Sequence, residues 1–414
     1  MDTTTGPTST DDTPAPPDGG AGCPMTAFGR LREQGPVADG PGFTSQGSRI
    51  VTRYEDARDM LTDPRFRSDA SAVDGAENGL GGILETMGVP EDLSFLSGSL
   101  ASRDGADHAR LRKLVSRTFT VRRVNALRPR VAQITGQLLD DIALAGADGK
   151  PVDLIPTLAY PVPITVICEL VGVPEQDRGL WREFAGLFTA PDPQRMPELS
   201  RAIVAQIRAL IAARRAEPAD DLVTGLVEVH DEDGDRLTET EMITMLFDLV
   251  TAGFETTAHL IPKSAQALLS RPDQLAALRA EPDLWPRAVH ELVRTCGPIP
   301  VSLPRYAAED VEVDGVRIPA GSTVLAGLTS GNFDPRVREH PEELDVRRET
   351  GRGEGHIGFG HGAHYCLGAA LARQETEVTL RALFDRFPQL RLAEDDGPSR
   401  LGFERLPELR VLVS

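Results

Sequence analysis

A chain of 414 residues with 63 acidic against 44 basic side chains carries a formal net charge of −19, which disfavours general binding to nucleic acid. No window approaches ~18 consecutive apolar residues, so no membrane-spanning helix is expected, and the acidic N-terminus lacks a signal peptide's basic and apolar regions. Cys23, Cys168, Cys296 and Cys366 are scattered, implying neither a disulfide framework nor a Cys-x-x-Cys zinc site, as expected of a cytoplasmic protein.

Residues 1–25 are dominated by Thr, Asp, Pro and Gly and hold too few apolar side chains to offset the entropy of ordering. They read as a disordered tail ahead of one large domain over residues 26–414. Between His108 and Arg130 stand Arg110, Arg112, Lys113, Arg117, Arg122, Arg123, Arg128 and Arg130, with no acid among them. That asymmetry fits either a solvated helix face or a docking surface for an acidic partner. His108 and Arg112, four apart, share one face of this helix.

Thr238-Glu-Thr-Glu241 is a capping box and predicts a helix start. Met242, Ile243, Met245, Leu246, Phe247, Leu249, Val250, Ala252 and Phe254 then cover most of the circumference, the pattern of a helix buried nearly all round. Asp248 alone interrupts this run. Gly253, Glu255, Thr256 and Thr257 follow in the same apolar setting, where polar groups are destabilising unless paired or used. The Thr256 hydroxyl is expected to bond a preceding carbonyl, and Pro262 to kink or weaken the second half of the helix. Further on, Glu291 and Arg294 lie three apart among Val289, Leu292 and Val293, which predicts a buried pair. Val311-Glu-Val-Asp-Gly-Val-Arg-Ile318 reads as a hairpin.

Phe359-Gly-His-Gly-Ala-His-Tyr-Cys-Leu-Gly368 is a glycine-rich loop that delivers Cys366 to the start of a helix. Gly358, Gly360 and Gly362 can take positive φ and let the backbone run close beneath a flat macrocycle. A helix N-terminus favours the thiolate, the metal-binding form of cysteine, and an axial thiolate suits haem iron. The rival readings are zinc held by His361, His364 and Cys366, and an inert buried cysteine.

Phe359, Gly360, Gly362, His364, Cys366 and Gly368 match Phe-x-x-Gly-x-His-x-Cys-x-Gly, the signature of the haem-thiolate monooxygenases. Ala252-Gly-Phe-Glu-Thr-Thr257 likewise resembles the Ala-Gly-x-Asp/Glu-Thr-Thr segment of that family, the cytochrome P-450 superfamily. The resemblance implies a mainly α single domain with a small β region, in which haem b is buried between a long central helix and the cysteine loop. Cys366 would ligate the iron. Ala252 and Gly253 would line the oxygen side, Gly253 by lacking a side chain there, while Thr256 orients water and Glu255 supplies protons. His108, Arg112, Arg305 and His364 would hold the two propionates. Glu291, Arg294 and Arg348 would brace the loop ahead of the cysteine. Leu344, Phe333 and Asp104-Gly-Ala-Asp107 depart from the family's usual residues.

The resemblance also implies a reaction: reductive activation of O2 and hydroxylation or epoxidation of a hydrophobic small molecule, with an intermediate of bacterial specialised metabolism as the expected substrate. Electrons would come from NAD(P)H through ferredoxin reductase and ferredoxin, docking on a monomer at Arg110, Lys113, Arg117, Arg122 and Arg123. Peroxide-driven oxidation, oxidative coupling or rearrangement, and a haem sensor are the alternatives. The expected substrate walls, residues 70–100, 184–196, 250–254 and 299–303, are mostly apolar or small.

Overall fold

A computed structural model describes residues 24–40, 47–77, 79–86, 88–189, 192, 194–229, 234, 236–351, 353–393 and 406–413. The expected tail, apart from its last two residues, lies outside them. Among the described residues the architecture is mainly helical, with three small sheets. No helix among the described residues is long and apolar enough to cross a membrane.

The organising element is a helix over Glu239–Leu269, ~46 Å long at 1.5 Å per residue. Its start is the expected capping box: the Glu241 amide donates to Thr238 Oγ1 at 3.2 Å, and the Thr238 amide donates to Glu241 Oε2 at 2.7 Å. The helix continues past Pro262, with tertiary packing outweighing the lost backbone bond. Helices Pro161–Val171, Met196–Ala216, Trp285–Cys296 and Ala369–Arg386 pack around it. Together they form the main apolar core, while a smaller one lies under the largest sheet.

That sheet runs in the order Val37–Gly40, Ser48–Val51, Thr323–Ala326, Arg305–Ala307, Phe66–Arg67. Ser48–Val51 is parallel to Thr323–Ala326 and the other pairings are antiparallel. The expected hairpin pairs Val311 with Ile318 and Val313 with Val316. Asp314 and Gly315 turn it with φ of 43° and 80°, as a two-residue loop matching strand twist requires.

Glu291 and Arg294 form the expected buried pair, at 2.7 Å through both carboxylate oxygens. Arg348 Nε adds a bond at 3.2 Å and the Asp345 amide one at 3.0 Å. Arg294 also donates to the carbonyls of Asn332, Pro341 and Glu343, and Asn332 Oδ1 accepts from the Ile357 amide. The brace therefore runs from the Trp285–Cys296 helix to the start of the cysteine loop. Phe333, unusual at its position, lies buried beneath the Arg294 guanidinium, 5.2 Å from its ring centre.

Candidate active site

The cysteine loop closes on itself where the Cys366 amide donates to the Phe359 carbonyl at 2.9 Å. Gly360 and Gly362 take φ of 74° and 75°, the left-handed region that glycine tolerates. Gly358 serves differently from the expectation. Its φ is ordinary, but an added Cβ would lie 2.7 Å from Val293 Cγ1, so this glycine allows the loop to lie directly on the Trp285–Cys296 helix. The following helix begins at Ala369 with Gly368 as its cap, and the Gly368 amide donates to the Cys366 sulfur. Burial nevertheless pushes the Cys366 thiol above its ordinary value, outweighing the Gly368 hydrogen bond and the Arg112 charge. The expectation that the helix terminus favours the thiolate thus meets a larger opposing effect, desolvation, and an ionised sulfur here would call for a bound metal cation to draw off the proton.

Beside the loop, four nitrogen-bearing side chains converge. His108 and His364 stack with ring centroids 4.0 Å apart. Arg305, 5 % exposed, donates to Ser68 Oγ, which lies 3.2 Å from His364 Nε2. Arg112 Nη2 donates to the Tyr365 carbonyl at 2.8 Å. Burial and the neighbouring Arg305 hold His364 down at about 3, and burial with Arg112 lowers His108, so both imidazoles are neutral at pH 7. Among the described residues Arg305 makes no ion pair, and the buried His108 Nε2 has no hydrogen-bond partner. A buried guanidinium and neutral imidazole donors suit carboxylates, and so fit the two propionates of haem. Asp104, which sequence reasoning treated only as a departure, stands at the edge of this cluster. Its Oδ2 accepts from the Ser68 and Asp69 amides at 2.7 and 2.8 Å, and its Oδ1 lies 3.9 Å from His364 Nε2.

The central helix carries the other half of the site. From Met242 to Leu268 every residue is buried except Asp248, Leu249, Thr251, Ala252, Gly253, Glu255 and Thr256. At 100° per residue these seven occupy one continuous face centred on Ala252, the most open of them. The Thr256 hydroxyl donates to the Ala252 carbonyl at 2.8 Å, as expected. Phe254 points away into the core, and Gly253 corrects its expected role. A Cβ there would sit 3.2 Å from Cγ1 and Cδ1 of Ile167, so the missing side chain lets the Pro161–Val171 helix pack closely. Of the two small residues on the open face, Ala252 is the more exposed.

Glu255 has partners that sequence reasoning missed. His259 Nε2 lies 3.0 Å from Glu255 Oε1, the Tyr160 hydroxyl donates to Oε2 at 3.3 Å, and Tyr160 Oη is 3.2 Å from His259 Nε2. The i, i+4 spacing of Glu255 and His259 was a readable signal; Tyr160, 95 residues away from Glu255, was not.

The basic stretch is less free than its local composition suggests. Arg110 pairs with Glu241, Arg123 with Asp220, Arg128 with Glu377 and Arg130 with Glu169, all acids from distant segments. Lys113, Arg117 and Arg122 are solvent-exposed. Of the expected substrate walls, Phe184 and Met196 are buried in the core, whereas Ile299 and Leu303 are exposed. His290 and His356 form a stacked pair beside Phe359, and neighbouring Glu354 is occupied by Tyr365 and Arg373.

The Cytochrome P450 family profile matches residues 188–404. The chain is 42 % identical over 373 residues to 6-deoxyerythronolide B hydroxylase of Saccharopolyspora erythraea, covering 89 % of each protein. It is 41 % identical over 392 residues to cytochrome P450 monooxygenase PikC of Streptomyces venezuelae, covering 94 % of this chain and 89 % of that one. The ligand-free structure of the P450 monooxygenase TamI superposes with a TM-score of 0.81 at 37 % identity, over 94 % of this chain and 91 % of that one. The fold and these relatives place the chain among the haem-dependent, O2-using monooxygenases of bacteria. It belongs to the cytochrome P450 family.

Proposed function

We propose that Cys366 would ligate the iron of haem b and that the open face of the central helix is the wall across which a hydrophobic small molecule, an intermediate of bacterial specialised metabolism, is hydroxylated or epoxidised. Relatives such as the polyketide biosynthesis cytochrome P450 PksS of Bacillus subtilis and the mycinamicin IV hydroxylase/epoxidase of Micromonospora griseorubida support the substrate class. When bound, haem supplies the redox chemistry that activates O2 with two electrons and two protons. His108, Arg112, Arg305 and His364 would hold its propionates, and Phe359, Gly360 and Gly368 shape the loop around the sulfur.

The observation that carries this reading is the placement of Ala252, Glu255 and Thr256 on the one open face of an otherwise buried helix. Ala252 leaves room there. The Thr256 hydroxyl, anchored on the Ala252 carbonyl, has lone pairs left to accept from water. The Glu255 carboxylate, steadied by His259 and Tyr160, exchanges a proton with that water, and the adjacent imidazole and phenol offer it a route for replenishment. Electrons come from NAD(P)H through ferredoxin reductase and ferredoxin, with Lys113, Arg117 and Arg122 as the exposed cations that meet an acidic donor.

Thr256→Ala tests the relay. The variant is expected to retain haem and to divert reducing equivalents from product to hydrogen peroxide; unchanged coupling of NAD(P)H to product removes Thr256 from the role.

A further inference from the structure

Asp248 interrupts the apolar run of the central helix, and nothing in the reaction proposed above uses it. It occupies the same open face as Ala252 and Glu255, at 40° and 340° around the helix from them by the 100° step, while its neighbours Phe247 and Val250 are buried. Its one partner among the described residues is Ser99, a 3 % exposed residue whose hydroxyl donates to the carboxyl and accepts from the Ala101 amide at 3.1 Å. Among the described residues no Arg, Lys or His forms an ion pair with Asp248, and no other charged group perturbs it. A carboxylate in such surroundings is destabilising unless a cation or several donors meet it, and one hydroxyl falls short of that. Such a carboxyl either keeps its proton or, when ionised, meets a cation that enters through the open face.

We propose that Asp248, steadied by Ser99, anchors a cationic nitrogen of the substrate and thereby sets which part of it is oxidised. The proposal rests on the reading of this face as the reaction chamber. Asp248 and Thr256 are eight residues apart on the helix, or ~12 Å along its axis. A substrate held by its nitrogen at Asp248 therefore presents a carbon remote from that nitrogen to the oxygen side, and oxidation falls on the distal skeleton. Burial pushes the Asp248 carboxyl up to about 7, against the Ser99 hydrogen bond, and an arriving cation would draw it to the ionised form. The net charge of −19 favours the approach of cations over anions.

The test compares decyltrimethylammonium with 1-decanol by calorimetry on the haem-loaded protein. The quaternary nitrogen has no lone pair, so it cannot coordinate iron and mimic binding. Wild-type protein is expected to bind the cation roughly tenfold or more tightly than the alcohol, and Asp248→Asn to abolish the preference while leaving decanol binding unchanged. Equal affinities in the wild type, undetectable binding of the cation, or a preference that survives Asp248→Asn overturns the proposal. The wild-type comparison decides even if the variant fails to load haem. A wild type that shows the preference but lacks a thiolate-type carbon monoxide spectrum would instead sink the assignment of Cys366.

Discussion

Gly253→Ala sets two opposing effects at one position. Alanine in a helix interior gains ~0.5–1 kcal/mol over glycine. Against this, the new Cβ would lie 3.2 Å from both Cγ1 and Cδ1 of Ile167, tighter than ordinary van der Waals contact. Ile167 is 2 % exposed and packed on all sides, so it cannot swing clear. Overpacking of this kind costs about 1–3 kcal/mol, leaving a net loss between about 0 and 2.5 kcal/mol. Ile167→Ala removes both contacting atoms and on its own loses ~2–5 kcal/mol. In the double variant the overpacking vanishes, so the combined loss should fall short of the sum by ~1–3 kcal/mol. Urea unfolding midpoints of the haem-loaded wild type, both single variants and the double variant measure that coupling. Additivity within ~0.5 kcal/mol would refute the packing role. A Gly253→Ala variant of unchanged stability but impaired O2 coupling would return the glycine to the oxygen side.

Glu291→Gln should lower stability by ~3–5 kcal/mol, because it leaves Arg294 and Arg348 without their carboxylate in a buried site; a shift in unfolding midpoint worth under ~1 kcal/mol, with full haem retention, would contradict the brace. Glu375, 1 % exposed with Oε2 lacking a hydrogen-bond partner, is pushed by burial up to about 8. Between its unfolded value of ~4.3 and about 8, the folded chain keeps a proton that the unfolded chain releases, so this group's contribution to stability declines as pH rises through that window. Glu375→Gln is expected to flatten the profile and to exceed wild type by a few kcal/mol at pH 8 while matching it near pH 4; parallel stability curves across that range would show that Glu375 ionises normally.

What the sequence made legible was local. The Thr238/Glu241 box, the Asp314-Gly315 hairpin turn, the Glu291/Arg294 pair and the Thr256 back-bond each depend on groups within a few residues, and spacing is enough to find them. The cysteine loop was legible for the same reason, since ten consecutive positions carry it. The misread features depend on chain segments brought together by folding. Gly253 looked like an opening because Ile167, the side chain it accommodates, is far away in sequence. The basic stretch looked unopposed because Glu241, Asp220, Glu377 and Glu169 come from other helices and loops. Helix-dipole reasoning favoured an ionised Cys366, whereas the degree of burial, which exists only in the folded chain, works in the other direction and is larger. Asp248 was visible as an interruption, but Ser99 and the absence of a nearby cation among the described residues became apparent only in three dimensions.

The central claim is one bond, from the Cys366 sulfur to haem iron. The carbon monoxide difference spectrum of the reduced protein reports the axial ligand directly. Wild type is predicted to show the thiolate-type band and Cys366→His to lose it together with monooxygenation. A wild type that takes up haem without that band, or a Cys366→His protein that keeps it, would contradict the account.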